Sequence, residues 1–85
     1  MMKAWIMFTG ENPVEDGCLL AFAEDQEEVR TAARAEFQSN YIRVWRCSGY
    51  DRFASKFEPG VHVIYSNAEC LAAGIPAYYD NVEVW

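Results

Sequence analysis

The chain predicts an α+β fold: an antiparallel sheet of three to four strands, one main helix over residues 25–38 on one face, and a short second helix near 67–74. Three observations carry that prediction. Two short apolar runs flank a turn-rich loop near the start, one strong amphipathic helical stripe follows, and a strictly alternating run comes after it. With 85 residues there is room for a single domain, 1–85, and one small core.

Each element follows from its residues. Residues 3–8 alternate and carry β-formers, giving a first strand. Residues 9–17 hold two Gly, a Pro and an Asn, which is loop chemistry. Cys18 to Ala23 forms a second strand, antiparallel because so short a connection cannot make a crossover. Asp25 is an N-cap and Glu28 completes a capping box. Val29, Ala32, Ala33 and Phe37 then lie on one helical stripe. Tyr41 to Cys47 alternates strictly, with Ile42 and Val44 on one face and Arg43 and Trp45 on the other.

Beyond Gly49 the pattern weakens. Tyr50 to Phe57 reads as a short helix or an ordered loop, and Val61 to Tyr65 as β-like. Ser66 and Glu69 form a second capping box, opening a helix that ends at Gly74 before Pro76. Val82 to Trp85 reads as a last edge strand. The expected helix-face core is Ile6, Phe8, Leu20, Phe22, Val29, Ala33, Phe37, Ile42 and Val44, which leaves Trp5 and Met7 on the far face with Trp45.

Composition excludes several function classes. The apolar share is 52%, which favours a packed globule over a disordered tail. Thirteen acids against seven bases give a net charge of −6, poorly suited to phosphate backbones or anionic lipid. Neither direct nucleic-acid binding nor membrane association is expected. The apolar run Ala4–Phe8 is too short for a signal h-region, and no stretch approaches about 20 apolar residues. Cys18, Cys47 and Cys70 are an odd set without zinc-site or thioredoxin spacing, which points to a reducing, cytoplasmic setting.

Chemistry-bearing motifs are sparse. His62 stands alone on a predicted strand, read as an ordinary sheet histidine. Cys70 falls in the first turns of the second helix, where the dipole lowers a thiol pKa, so a Cys70–His62 thiol enzyme is a remote reading. Glu11, Glu15 and Asp16 lack EF-hand spacing, and the glycines never approach a phosphate-cradling pattern. No catalytic residue, metal or cofactor is expected, and the chain reads as non-enzymatic.

Charge, by contrast, is segregated. Residues 1–29 hold one base against seven acids, residues 30–56 six bases against two acids, and residues 57–85 four acids and no base. Should the 9–17 loop and the helix N-terminus meet at one end of the sheet, Glu11, Glu15, Asp16, Glu24, Asp25, Glu27 and Glu28 form one patch. Such a patch presents to a basic groove what a phosphate backbone presents. The competing interface is an aromatic sheet face of Trp5, Met7, Arg43 and Trp45, suited to an adaptor or a homodimer whose association survives salt.

The strings Lys3-Ala4-Trp5, Phe22-Ala23-Glu24, Ala32-Ala33-Arg34-Ala35 and Arg43-Val44-Trp45-Arg46 resemble a group of small bacteriophage and prophage proteins of strand–strand–helix–strand type, over about residues 3–53. That pattern carries a polar residue where this chain has Trp45. The resemblance implies a mobile-element origin in a bacterial host cell and a role as a stoichiometric inhibitor, anti-CRISPR proteins among them. The expected partner is then a basic protein or ribonucleoprotein complex, such as a CRISPR effector.

Overall fold

The computed structural model describes residues 1–11, 13 and 17–78. The described chain runs β1 (Lys3–Thr9), β2 (Leu19–Ala23), α1 (Gln26–Phe37), β3 (Ile42–Arg46), a 3-10 helix (Ser48–Lys56), β4 (His62–Ile64) and α2 (Asn67–Ala72). The strands form one antiparallel sheet in the order β3-β1-β2-β4. The fold is therefore α+β, with a four-stranded antiparallel sheet, a main helix and a short second helix. The proposed edge strand at Val82–Trp85 lies outside the described residues.

Local chemistry sets both helices. Asp25 is extended and its carboxylate accepts from the Glu28 amide at 3.0 Å, while Glu28 reaches back to the Glu24 amide at 3.1 Å. Two otherwise orphaned N–H groups are thereby satisfied. α2 repeats the device: the Ser66 hydroxyl accepts from the Glu69 amide at 3.3 Å. It ends in a Schellman motif, with the Ile75 amide donating to the Cys70 carbonyl and that of Gly74 to Leu71, each at 3.0 Å. Gly74 sits at φ 75, a left-handed conformation that a side chain makes costly.

The two faces of the sheet are covered by different halves of the chain. Trp5, Met7, Ala21, Ala23, Ile42 and Val44 pack with Val29 and Ala33 of α1. Ala4, Ile6, Phe8, Leu20, Phe22 and Ile64 pack instead with Cys47, Tyr50, Ala54, Cys70, Ile75 and Tyr78 from the C-terminal half. The expected assignment is thus inverted for β1 and β2. Ile6, Phe8, Leu20 and Phe22 turn away from the helix, while Trp5 and Met7 lie beneath it. Ile42, Val44, Val29 and Ala33 hold their expected place on the helix side, and Phe37 packs there only partly buried. The physical reason is that β1 does not alternate. Ala4 to Phe8 are all buried, as befits a central strand covered on both faces.

Register follows from pairing. Trp5 lies opposite Ala21 and Arg46, Ile6 opposite Leu20 and Trp45, Met7 opposite Leu19 and Val44. The Trp5 indole donates to the Ala23 carbonyl at 3.1 Å, and the Arg46 guanidinium lies 5.1 Å from its ring centroid. On the other face Phe22 stacks on Phe57 at 4.4 Å, and the Tyr50 ring meets Tyr78 edge-on at 5.3 Å. The Tyr50 hydroxyl donates to the Pro76 carbonyl at 3.1 Å, fastening the chain after α2 to the 3-10 helix.

Phe22→Ala is expected to cost about 3–5 kcal/mol, since a fully buried ring leaves a cavity. Phe37→Ala is expected to cost distinctly less, because its ring keeps part of its surface in water. Urea denaturation of both variants checks this; equal losses would place Phe37 in the core and contradict the two-faced packing.

Candidate functional site

The β1–β2 hairpin decides where the acids go. Its loop follows Thr9, at the end where Met7 faces Leu19, whereas α1 starts after Ala23, at the end where Ala23 faces Lys3. The length of β2, five residues or roughly 17 Å, separates the two ends. Glu11 and the acids of the helix group therefore do not form one patch. Glu11 lies at the loop end, Glu24, Asp25, Glu27 and Glu28 lie at the other, and Glu15 and Asp16 fall outside the described residues. Within the helix group, Asp25 and Glu28 are committed to the capping box, and Glu27 approaches Arg30 at 3.9 Å.

The Trp5/Met7/Arg43/Trp45 surface is likewise divided. Trp5 and Met7 are buried under α1, so neither reaches a partner. Arg43 and Trp45 stand on the opposite face, exposed, where the Trp45 ring meets Phe8 edge-on at 4.9 Å. The cause is the register: Trp5 faces Arg46 across the ladder and Met7 faces Val44, so neither shares a side with Arg43 or Trp45.

What remains at the surface is the outer edge of β3, and its backbone parity can be read from one bond. The Cys47 amide donates to the Ala4 carbonyl at 2.9 Å, in line with the β1–β3 register. Bonded and non-bonded pairs alternate along an antiparallel ladder, so Trp45 and Arg43 turn their backbone groups toward β1. Ile42, Val44 and Arg46 then turn theirs outward. No strand pairs with that edge among the described residues. Beside it stand Tyr41 (88% exposed), Arg43 and Trp45 (46% exposed). The Arg43 side chain makes no hydrogen bond or ion pair among the described residues. An open depression of about 370 Å3, lined by Gly10, Glu11, Asn40, Tyr41, Ile42 and Arg43, continues the edge at its N-terminal end. At the sheet's other margin β4 has only three residues, a length that leaves little to pair with.

The alternating string Tyr41–Cys47 already carried this edge in the sequence. What it lacked was a sign of which strand would lie at the margin, because that depends on the order of all four.

The thiol chemistry at Cys70 finds no support in the geometry. Cys70 is fully buried, and burial pushes its thiol above the ordinary value despite its place near the start of α2. His62 does not approach it: the ring holds the Glu58 carbonyl at 2.8 Å and packs by Phe57 at 5.2 Å. Cys47 is also buried, and burial pushes its thiol up to about 11. Cys18 is raised for the same reason and lies 3.9 Å from the Tyr78 hydroxyl. Among the described residues no group of three or more His, Cys, Asp or Glu is placed to hold a metal ion, and no helix is long and apolar enough to cross a membrane.

Because the folded state binds the Cys47 proton more tightly than the unfolded chain, stability is expected to hold up to about pH 9 and to fall as pH rises toward 11. Iodoacetamide at neutral pH should modify Cys18 first and leave Cys47 and Cys70 for unfolded protein. Rapid labelling of Cys70 in the folded state would contradict its burial. Neither a protein-family model, nor a curated protein, nor a solved structure matches this chain.

Proposed function

We propose that this chain is a non-enzymatic protein-interaction module that binds a partner along the outer edge of β3. The observation that carries the reading is the outward backbone row of Ile42, Val44 and Arg46, with which no strand pairs among the described residues, flanked by exposed Tyr41, Arg43 and Trp45. A partner segment added as a fifth strand would satisfy that row with main-chain bonds. Side chains beside it would supply selectivity: two aromatic surfaces and a cation are the residue types that dominate protein interfaces. The depression next to Tyr41 and Arg43 offers a recess for one partner side chain beyond the strand.

A second reading, an inhibitor docking through carboxylates on a basic nucleic-acid-handling complex such as a CRISPR effector, keeps one supporting observation. Glu24, Asp25, Glu27 and Glu28 remain together at one end of the sheet, and the chain carries a net −6. Such a cluster speeds encounter with a basic partner more than it holds the complex together. Its reach is reduced by the capping duties of Asp25 and Glu28.

Photo-crosslinking separates the two. With a benzophenone side chain at Arg43 in one variant and at Glu27 in another, the edge reading expects capture at Arg43 of a discrete partner, either another protein of the native host or a second copy of the chain. Capture at Glu27 alone would favour the acidic surface. Capture at neither would overturn both.

A further inference from the structure

We infer that the partner strand is supplied by a second copy of this chain, paired antiparallel to β3 about a two-fold axis at Val44; this rests on the reading of the β3 edge as the binding site. The backbone parity carries the first half of the argument. The outward-turned groups belong to Ile42, Val44 and Arg46, which are symmetric about Val44. With the axis there, Val44 forms a bonded pair with Val44 of the second copy, and each Ile42 forms one with the opposite Arg46. Every outward N–H and C=O of the three residues is then satisfied in both copies.

The side chains carry the second half. In the same register Arg43 of one copy lies opposite Trp45 of the other, twice over, in the non-bonded positions where side chains stand closest. Both residues are exposed on the same face, and the Arg43 guanidinium has no other partner among the described residues. A guanidinium over an indole is the favoured cation–π pair, so the edge is complementary to itself in charge as well as in backbone. The neighbouring registers are poorer. An axis at Arg43 sets Arg43 opposite Arg43 of the second copy, an axis at Trp45 pairs Val44 with Arg46 but leaves the outward groups of Ile42 without a partner in β3, and an axis at Arg46 sets like charges opposite each other and loses most of the ladder. The axis at Val44 is the register that uses all three outward residues of β3 and sets Arg43 opposite an aromatic ring.

Five residues on each side bury far less than the roughly 1,600 Å2 of a standard interface, so the dimer is a weak, concentration-dependent one. Sedimentation equilibrium from about 10 μM to about 1 mM reads that range directly. The wild-type mass is expected to climb toward that of a dimer as concentration rises. Trp45→Arg sets Arg43 against a second cation and should weaken association at least about tenfold. The double variant R43E/W45R puts a carboxylate opposite that new cation and should restore it. Because it lacks the same indole, it controls for the lost Trp45–Phe8 contact. Backbone N-methylation of Val44, which keeps the side chain and removes one outward N–H, should leave a monomer. A wild-type chain that stays monomeric throughout overturns the inference, as does a Trp45→Arg variant that associates like wild type. A monomeric wild type whose Arg43 crosslinker still captures another protein would remove the second copy alone and leave the edge reading standing. Failure of both experiments would remove both.

Discussion

Everything in this molecule depends on the pairing of β1 with two antiparallel neighbours. It fixes which of five consecutive apolar residues face which layer. Trp5 and Met7 go under α1; Ala4, Ile6 and Phe8 go under the C-terminal half. A shift of one residue would exchange those sets and place the Trp5 indole where the 3-10 helix now packs. The indole's bond to the Ala23 carbonyl and the Arg46 guanidinium over its ring belong to this register and no other. The C-terminal half is then a structural layer: Tyr50, Cys70, Ile75 and Tyr78 are the buried cover of the second face.

The same pairing distributes charge. A hairpin places its loop and the element after its second strand at opposite ends of the sheet, so acids adjacent in sequence become distant in space. Residues 1–29 read as one anionic block, yet β2 lies between Glu11 and the helix group. Part of the helix group serves the helix itself, through the N-cap and the macrodipole. The order β3-β1-β2-β4 meanwhile puts at the margin the strand whose exposed side chains include an indole and a guanidinium. Charged side chains on an edge commonly prevent pairing. In the proposed two-fold register Arg43 of each copy lies opposite Trp45 of the other, so the residue that disfavours a register centred on itself favours this one.

Features governed by local chemistry were legible in the sequence. Both capping boxes, at Asp25/Glu28 and Ser66/Glu69, form as their spacing requires, and the glycine stop at Gly74 ends α2. The alternation of Ile42, Arg43, Val44 and Trp45 assigned β3 its two faces, because polar residues mark one of them. No such mark exists in Ala4–Phe8, where both neighbouring layers are apolar and the parity is set by distant residues such as Tyr50 and Tyr78. Ala21 and Ala23 are buried beside α1, where small side chains let the helix approach; their size gave the inner face away less readily than a leucine would have. The environment of Cys70 is hidden for a related reason. Its place in a short helix suggested an activated thiol, while its contacts with the sheet, invisible in one dimension, desolvate it.

The central claim is the register of β1 between its neighbours, with the edge parity of β3 that follows from it, and amide hydrogen exchange followed by NMR in dilute protein tests it most directly. Fast exchange is expected at Ile42, Val44 and Arg46, whose amides turn outward, and slow exchange at Arg43, Trp45 and Cys47, whose amides are held by β1. Protection at Val44 with fast exchange at Arg43 and Trp45 would mean the opposite parity, and would contradict both the placement of β3 and the binding edge built on it.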